Sequence, residues 1–169
     1  MAPAHATAKL DLPAQRPKLQ YGVIPYRHRR AKDRIEIMLI TSRNTHRWIV
    51  PKGWPIARTP ARDVARREAL EEAGLEGAMG PHPFGSFHYQ KRLKDGSVIP
   101  CRVDVFAFEV ERQCKTWLER GERKRRWFDA ERAIKLVREE ELKELISALV
   151  RSLEEEKRAT LGDQVQNSI

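Results

Sequence analysis

The stretch from Gly53 to Leu75, GWPIARTPARDVARREALEEAGL, constrains the fold of this chain more strongly than any other. It predicts a loop, a short helix and a glycine stop, because Gly74 stands just past the helical residues, where a left-handed conformation is usually needed. Small alanines and one leucine share a helical face, which predicts tight packing of that face against a sheet. These residues are Ala65, Ala69, Leu70 and Ala73.

Glu68, Glu71 and Glu72 stand at positions i, i+3 and i+4, so their carboxylates project from one helical face. On an isolated helix each like-charged pair costs roughly 0.2–0.5 kcal/mol. A hard divalent cation would offset this repulsion, because Mg²⁺ binds a few carboxylate oxygens, keeps several waters and shares substrate phosphates. The alternative is a solvated acidic face with salt-bridge partners, which is the commoner arrangement for an arbitrary acidic helix. The neighbouring candidates for those salt bridges are Arg62, Arg66 and Arg67.

The residues around these carboxylates match a known pattern. Counted from Gly53, the chain follows the Nudix box, G-x5-E-x7-R-E-U-x-E-E-x-G-U, at most of its fixed positions. Such a match arises by chance on the order of once in ten thousand chains of this size. The chain therefore resembles a Nudix hydrolase. The matching residues are Gly53, Arg67, Glu68, Glu71, Glu72 and Gly74.

Two positions depart from the box. Thr59 stands where the pattern has its first glutamate, and Ala69 replaces a larger aliphatic residue. In the family that glutamate chiefly braces the box arginine, so its loss bears on the anchoring of Arg67 more than on the metal ligands. The resemblance gives Arg67 and Gly74 structural roles.

Two stretches outside the box resemble the branch of the family that hydrolyses diphosphoinositol polyphosphates and diadenosine polyphosphates. SRNTHRWIVPKG, residues 42–53, leads into the box, and ERKRRWFDAERAIKLV, residues 122–137, follows it. With the box, the resemblance covers roughly residues 19–137. It implies an α/β fold, the Nudix α/β/α sandwich, in which a mixed β-sheet lies between helices.

The resemblance also implies roles for individual residues. Glu68 and Glu72 would bind Mg²⁺, with Mn²⁺ as the alternative, and Glu71 would join them while positioning or deprotonating the attacking water. A carboxylate base held near cations would have a depressed pKa, so turnover would rise towards alkaline pH. The positions that hold phosphates in that branch are matched here by Thr41, Ser42, Arg43, Gly53 and Arg123. The cations Arg47 and Lys52 flank the short strand-like stretch 48–50, which leads into the box.

A net charge of +9, despite the acidic box, predicts a polyanionic partner but does not say which one. The leading hypothesis is metal-dependent hydrolysis of a diphosphate linked to a further group, as in a dinucleoside polyphosphate or a diphosphoinositol polyphosphate. One alternative is pyrophosphate removal from RNA 5′ ends, for which Trp54 or Tyr89 would stack on a base. Another is a non-catalytic module of the same fold that only binds a nucleotide or RNA.

A chain of 169 residues fits one domain, predicted at 18–157, with a disordered tail at 1–17 and a frayed tail at 158–169. Strand-like stretches cover residues 19–27, 35–41, 84–93 and 98–110, and a last helix covers about 139–157. Asp129 is expected to be the N-cap of a short helix that starts there, before the last helix. Two cysteines without a paired spacing predict reduced thiols, and the lack of an apolar leader predicts a cytoplasmic protein without membrane contact. Nothing in the sequence indicates the oligomeric state.

Overall fold

The computed structural model describes residues 15–166, with side chains described through residue 163. Residues 1–14, which include most of the predicted N-terminal tail, and residues 167–169 lie outside the described part. The strands are β1 Lys18–Arg29, β2 Arg34–Thr41, β3 Trp48–Ile49, β4 Lys52–Gly53, β5 Leu75–Met79, β6 Gly85–Arg92, β7 Val98–Gln113 and β8 Arg125–Asp129. The helices are α1 Ala61–Ala73, α2 Ala130–Leu136 and α3 Glu140–Gln166, with a 3-10 turn at Arg30–Lys32.

The eight strands form one mixed sheet with the order β3-β2-β1-β7-β5, while β4, β6 and β8 pair with β1, β7 and β2. Only the central pair, β1 and β7, is parallel among the described strands, in register from Lys18 opposite Cys101 to Tyr26 opposite Glu109. β4 pairs with β1 so that Gly53 lies opposite Tyr21. The start of the box is therefore fixed to the centre of the sheet.

Helices cover both faces of the sheet, which confirms the predicted α/β/α sandwich. On one face, α1 buries its alanines against Val23, Phe106 and Phe108. On the other face, α2 buries Ala133 and α3 buries Leu142 and Ile146 among the side chains of β1, β2, β6 and β7. The predicted packing of Leu70 is wrong, because this side chain is 41% exposed on the outer side of α1.

The structure corrects three other details. β5, an edge strand directly after the box, was not predicted, because its sequence LEGAM has little strand-like alternation. α3 continues to Gln166 instead of ending near 157, since its polar C-terminal half needs no core contact to stay helical. Asp129 precedes α2 as predicted, but it makes no capping hydrogen bond, because its carboxylate pairs with Arg34 at 2.8 Å.

Glu36 on β2 is the carboxylate whose loss should most affect stability. Its side chain is nearly buried and accepts hydrogen bonds from Arg27 Nε at 2.7 Å and Arg29 Nη1 at 3.1 Å. Burial alone would raise the pKa of Glu36, but these two arginines outweigh it and hold the pKa below its usual range. The stabilisation is therefore present above the carboxyl pKa of the unfolded chain and is lost as the pH falls through the folded value.

We expect Glu36→Gln to lower the free energy of unfolding by about 2 kcal/mol at neutral pH, because the arginines keep their charge without its counterpart. The difference from the native chain should shrink below about pH 4, where the native carboxylate is also protonated. Urea unfolding across this pH range measures both effects. Glu111→Gln, at an exposed position, is the matched control. Equal stability of Glu36→Gln and the native chain at neutral pH would contradict the role of this ion pair.

Candidate active site

The end of α1 is fixed by Gly74, as predicted. Its φ of 61° and ψ of 41° are left-handed, and its N–H donates to the carbonyl of Leu70 at 2.9 Å. A Cβ at this position would also lie 2.8 Å from the Trp117 ring and 2.9 Å from Arg125 Nη1. Arg125 Nη1 in turn donates to the carbonyl of Ala73 at 2.6 Å. Conformation and packing therefore both require glycine, and together they set the direction of the last turn of the helix.

Glu72, in that last turn, joins three parts of the chain. Its side chain is buried; Oε1 accepts from Arg123 Nη2 at 2.8 Å, and Oε2 accepts from the backbone N–H of Lys52 at 3.2 Å. Burial raises the pKa of Glu72 to about 7 although Arg123 and Lys52 act in the opposite direction, and the neighbouring Glu68 raises it further. A cation close to this carboxylate would stabilise its ionised form.

Glu68 packs its carboxylate directly against Gly53 of β4, so that a Cβ at position 53 would overlap it. Burial raises the pKa of Glu68, and the charges of Glu71 and Glu119 raise it further. Among the described residues, Glu68 has no hydrogen bond or ion pair. It is thus a partly buried carboxylate that no cation contacts directly, although the charges of Arg67 and Arg123 partly oppose the rise in its pKa.

Glu71 differs from its two neighbours. Its Oε1 accepts from Arg67 Nε at 2.6 Å, and the arginine is largely exposed. Thr59, in the position of the first box glutamate, donates instead to the carbonyl of Ala57 at 3.2 Å. In this chain the box arginine is therefore held by Glu71, and it orients the carboxylate that is expected to act on water.

Thr59→Glu tests how much this departure from the box matters. We expect the new carboxylate to stabilise the start of α1 by about 0.5 kcal/mol, because it lies next to the positive end of the helix dipole. Turnover should change less than about twofold, since Arg67 already has a partner in Glu71. Thermal unfolding and phosphate release measure the two quantities. A large gain in rate would show instead that the loose anchoring of Arg67 limits the native enzyme.

The three box carboxylates do not converge as the sequence pattern suggested. Within the described residues, no three His, Cys, Asp or Glu side chains are grouped as a ready metal site. The reason is that Glu71 is turned to Arg67 and Glu72 to Arg123. Glu68 and Glu72 nevertheless fit a divalent cation, because both are oxygen donors with pKa values raised by burial. Participation of Glu71 as a ligand stays a prediction. The depressed pKa expected of the carboxylate base near bound cations likewise stays a prediction.

Arg123 and Thr41 lie at the site but are engaged with the protein. The guanidinium of Arg123 is almost fully buried and donates to Glu72, to Glu119 Oε2 at 2.6 Å and to the carbonyl of Thr41 at 3.1 Å. The Thr41 hydroxyl accepts from the backbone N–H of Lys124 at 2.9 Å. In this arrangement Arg123 positions a metal-ligand candidate, and its phosphate contact stays a prediction.

The loop before β3 is also internally bonded. Ser42 Oγ lies 2.7 Å from Thr45 Oγ1 and accepts from the N–H of Arg47 at 3.2 Å. Arg43 is exposed and pairs with Glu122 at 3.3 Å, on the side of Glu72 and Arg123. The side chain of Arg47 instead forms an ion pair with Glu139 at 2.7 Å, near the start of α3.

Glu119 is the site residue whose position the sequence did not fix. Its backbone N–H donates to the carbonyl of Glu71 at 3.0 Å, and its carboxylate pairs with Arg123 and, at 3.6 Å, with Arg43. It lies in an irregular segment without hydrophobic periodicity, so only the tertiary structure brings it to the last turn of α1. It adds a further carboxylate beside Glu68.

A separate cavity of about 760 Å³ lies at the other end of β1, between the 3-10 turn Arg30–Lys32 and α3. The arginines there are largely neutralised by neighbours, because Arg27 and Arg29 bind Glu36 and Arg34 binds Asp129.

Comparison with known proteins agrees with this geometry. No family model matches the chain. Nudix hydrolase 12 of Arabidopsis thaliana, named as mitochondrial, is 30% identical over 156 residues, which cover 83% of this chain and 76% of the relative. The chain belongs to the Nudix hydrolases. As a member of this family it is a hydrolase of pyrophosphate bonds, and Nudix hydrolases generally use divalent metal ions.

Two further similarities concern the branch suggested by the flanking motifs. A bovine diphosphoinositol polyphosphate phosphohydrolase, 3-beta, is 33% identical over 105 residues, which cover 60% of each chain. The Caenorhabditis elegans Ap4A hydrolase shares the fold of this Nudix hydrolase, with a TM-score of 0.62 and 21% identity over 82% of this chain and 99% of that one. Since the Arabidopsis relative is named mitochondrial, a cytoplasmic location stays a prediction. Within residues 15–166, no helix is both long and apolar enough to cross a membrane.

Proposed function

We propose that this Nudix hydrolase cleaves a phosphoanhydride bond in a nucleoside or inositol polyphosphate, most closely a dinucleoside polyphosphate or a diphosphoinositol polyphosphate. The observation that carries the proposal is the pair of carboxylates near Gly53, of which Glu68 is partly buried without an ion pair and Glu72 is buried against Arg123. Glu68 and Glu72 gain their raised pKa values from burial in a position lined by Arg123 and the backbone of Lys52. A divalent cation bound together with a polyphosphate would stabilise the ionised form of both carboxylates.

Glu68 and Glu72 would hold Mg²⁺, or Mn²⁺ as the alternative. When bound, the ion would neutralise phosphate charge and lower the pKa of a coordinated water. The residues of the chain supply the positioning. Arg123 fixes Glu72, and Arg67 fixes Glu71, which accepts a proton from the attacking water. The absence of a side chain at Gly53 leaves room for the Glu68 carboxylate to pack against β4.

Water then attacks phosphorus in line with the departing phosphate, so the new P–O bond forms as the bridging P–O bond breaks. The leaving phosphate takes the electron pair of the broken bond, and charge accumulates on the non-bridging oxygens. Little covalent chemistry falls to the protein, and most of the rate gain comes from orientation and charge stabilisation. Arg43, exposed on the side of Glu72 and Arg123, is the arginine best placed to move onto a phosphate.

A phosphate-release screen with Mg²⁺ tests the proposal. Nucleoside triphosphates, dinucleoside polyphosphates, inositol pyrophosphates and RNA with a 5′-triphosphate should be compared at equal concentration. We expect release from dinucleoside polyphosphates or inositol pyrophosphates and its loss with a chelator. Preferential release from RNA would favour the RNA alternative, and no release from any substrate would overturn the proposal.

A further inference from the structure

The ammonium group of Lys52 lies in an unusual position beside the site. Its Nζ is 4.8 Å from the centre of the Tyr89 ring, although its own backbone N–H donates to Glu72. Among the described residues, Nζ has no hydrogen-bond acceptor and no ion pair. A partly buried ammonium held only by an aromatic face retains all its hydrogen-bond donors for an incoming acceptor.

Lys91 repeats this arrangement on the neighbouring strand. Its Nζ lies 5.1 Å from the centre of the Trp54 ring, just after the start of the box. Tyr89 and Lys91 are two residues apart on β6 and therefore project from the same face of the strand, and the charge of Lys91 acts on Lys52. The pairing of β6 with β7, which places Tyr89 opposite Cys101 and Lys91 opposite Ile99, holds both side chains at this position.

The surroundings leave this pair of cations with little counter-charge. Arg47 and Arg123 are the other cations acting on Lys52, and Glu72 is the only carboxylate among its described electrostatic neighbours. Glu139 is close but is already paired with Arg47. Among the described residues neither ammonium group has an ion pair, so an anion would supply the missing counter-charge.

The same geometry argues against base stacking by Tyr89. The Tyr89 hydroxyl donates to Gln20 Oε1 at 2.6 Å, which fixes the ring, and Lys52 and Arg47 approach the ring at 4.8 and 6.0 Å. Cations this close to the ring compete with a base for its face. An anionic group, by contrast, would meet two ready donors.

We propose that Lys52 and Lys91 form a subsite for a phosphate group beyond the cleaved diphosphate. The inference rests on the proposed function and adds a criterion for substrate selection, which is the number of phosphate groups that a substrate carries. Because the subsite begins one residue before Gly53, a phosphate bound there would be continuous with the diphosphate beside Glu68. Substrates whose second group carries further phosphates should therefore be preferred over those that end in an uncharged group.

Calorimetric titration with inorganic tripolyphosphate and pyrophosphate, each with Mg²⁺, tests the subsite without relying on turnover. The native protein should bind tripolyphosphate more tightly than pyrophosphate. Lys91→Gln should weaken tripolyphosphate binding about tenfold and pyrophosphate binding much less, because it removes one charge-assisted hydrogen bond. Lys94→Gln, in the exposed turn of the same hairpin, is the matched control and should change neither affinity.

The double variant Lys52→Gln/Lys91→Gln, compared with the two single variants, shows whether both lysines bind one phosphate group or act independently. Loss of affinity for tripolyphosphate should be smaller in the double variant than the sum of the two single losses, because both lysines would contact one phosphate. Purely additive losses, or equal losses for both anions in Lys91→Gln, would overturn the subsite. Failure of the phosphate-release screen alongside a positive titration would overturn the proposed reaction and leave the subsite standing.

Discussion

Glu72→Gln is expected to reduce Mg²⁺-dependent phosphate release at least about a hundredfold, a loss of ~2.7 kcal/mol of transition-state stabilisation. The amide keeps an oxygen that can accept from Arg123, but it removes the negative charge that a divalent cation needs. Mg²⁺ affinity measured by calorimetry should fall together with turnover.

The fold should tolerate this change. Arg123 keeps a second carboxylate partner in Glu119, and because burial raises the pKa of Glu72, a neutral side chain is better tolerated there than at an exposed position. Circular dichroism and thermal unfolding should show a folded protein, which separates lost chemistry from lost structure. Glu111→Gln, on the exposed end of β7, is the control and should turn over normally. Full activity of Glu72→Gln would mean that the metal ligands are assigned wrongly.

Gly53→Ala is expected to lower turnover about a hundredfold with little effect on stability. The added Cβ would overlap the Glu68 carboxylate, which is the far end of a flexible side chain and can swing away at low cost. The free energy of unfolding should therefore change by less than about 1 kcal/mol. The displaced carboxylate would, however, no longer lie at the proposed metal site, and misplacement by about 1 Å costs roughly a hundredfold in rate.

Gly80→Ala provides the matched control, because no atom lies within 4 Å of a Cβ at that position. Steady-state kinetics of both variants at saturating Mg²⁺, with thermal unfolding in parallel, measure the prediction. Unchanged turnover in Gly53→Ala would show that Glu68 contributes nothing through its contact with β4. A collapsed, unfolded Gly53→Ala would contradict the assumption that Glu68 moves freely.

Local patterns were sufficient to predict the box helix, its glycine end and the main strands. Gly74, for example, was predicted from its position after the helix and is left-handed in the structure. The sandwich followed from the family resemblance and from the alanine face of α1, which packs on the sheet. These features depend on residues near one another in the chain, which is why the sequence reveals them.

The detailed contacts of the site could not be predicted in this way. Helical spacing placed Glu71 and Glu72 on one face of the helix. It did not show that Glu71 pairs with Arg67 while Glu72 pairs with Arg123. Similarly, Arg47 was expected at the phosphates because it flanks the right strand, yet its side chain pairs with Glu139. Two of these partners lie far along the chain, Arg123 from Glu72 and Glu139 from Arg47, and charge alone does not identify them.

The contacts of Arg123 also have a consequence for how the chain folds. Its bonds to Glu72 and Thr41 join residues separated by 51 and 82 positions, and the bond from Tyr89 to Gln20 spans 69. Contacts of such long sequence separation form late, after much of the loop-closure entropy has been lost. Mg²⁺ should therefore bind only the completed fold and raise its melting temperature by mass action. A nascent chain that ends before Arg123 would have the whole box and still lack the site.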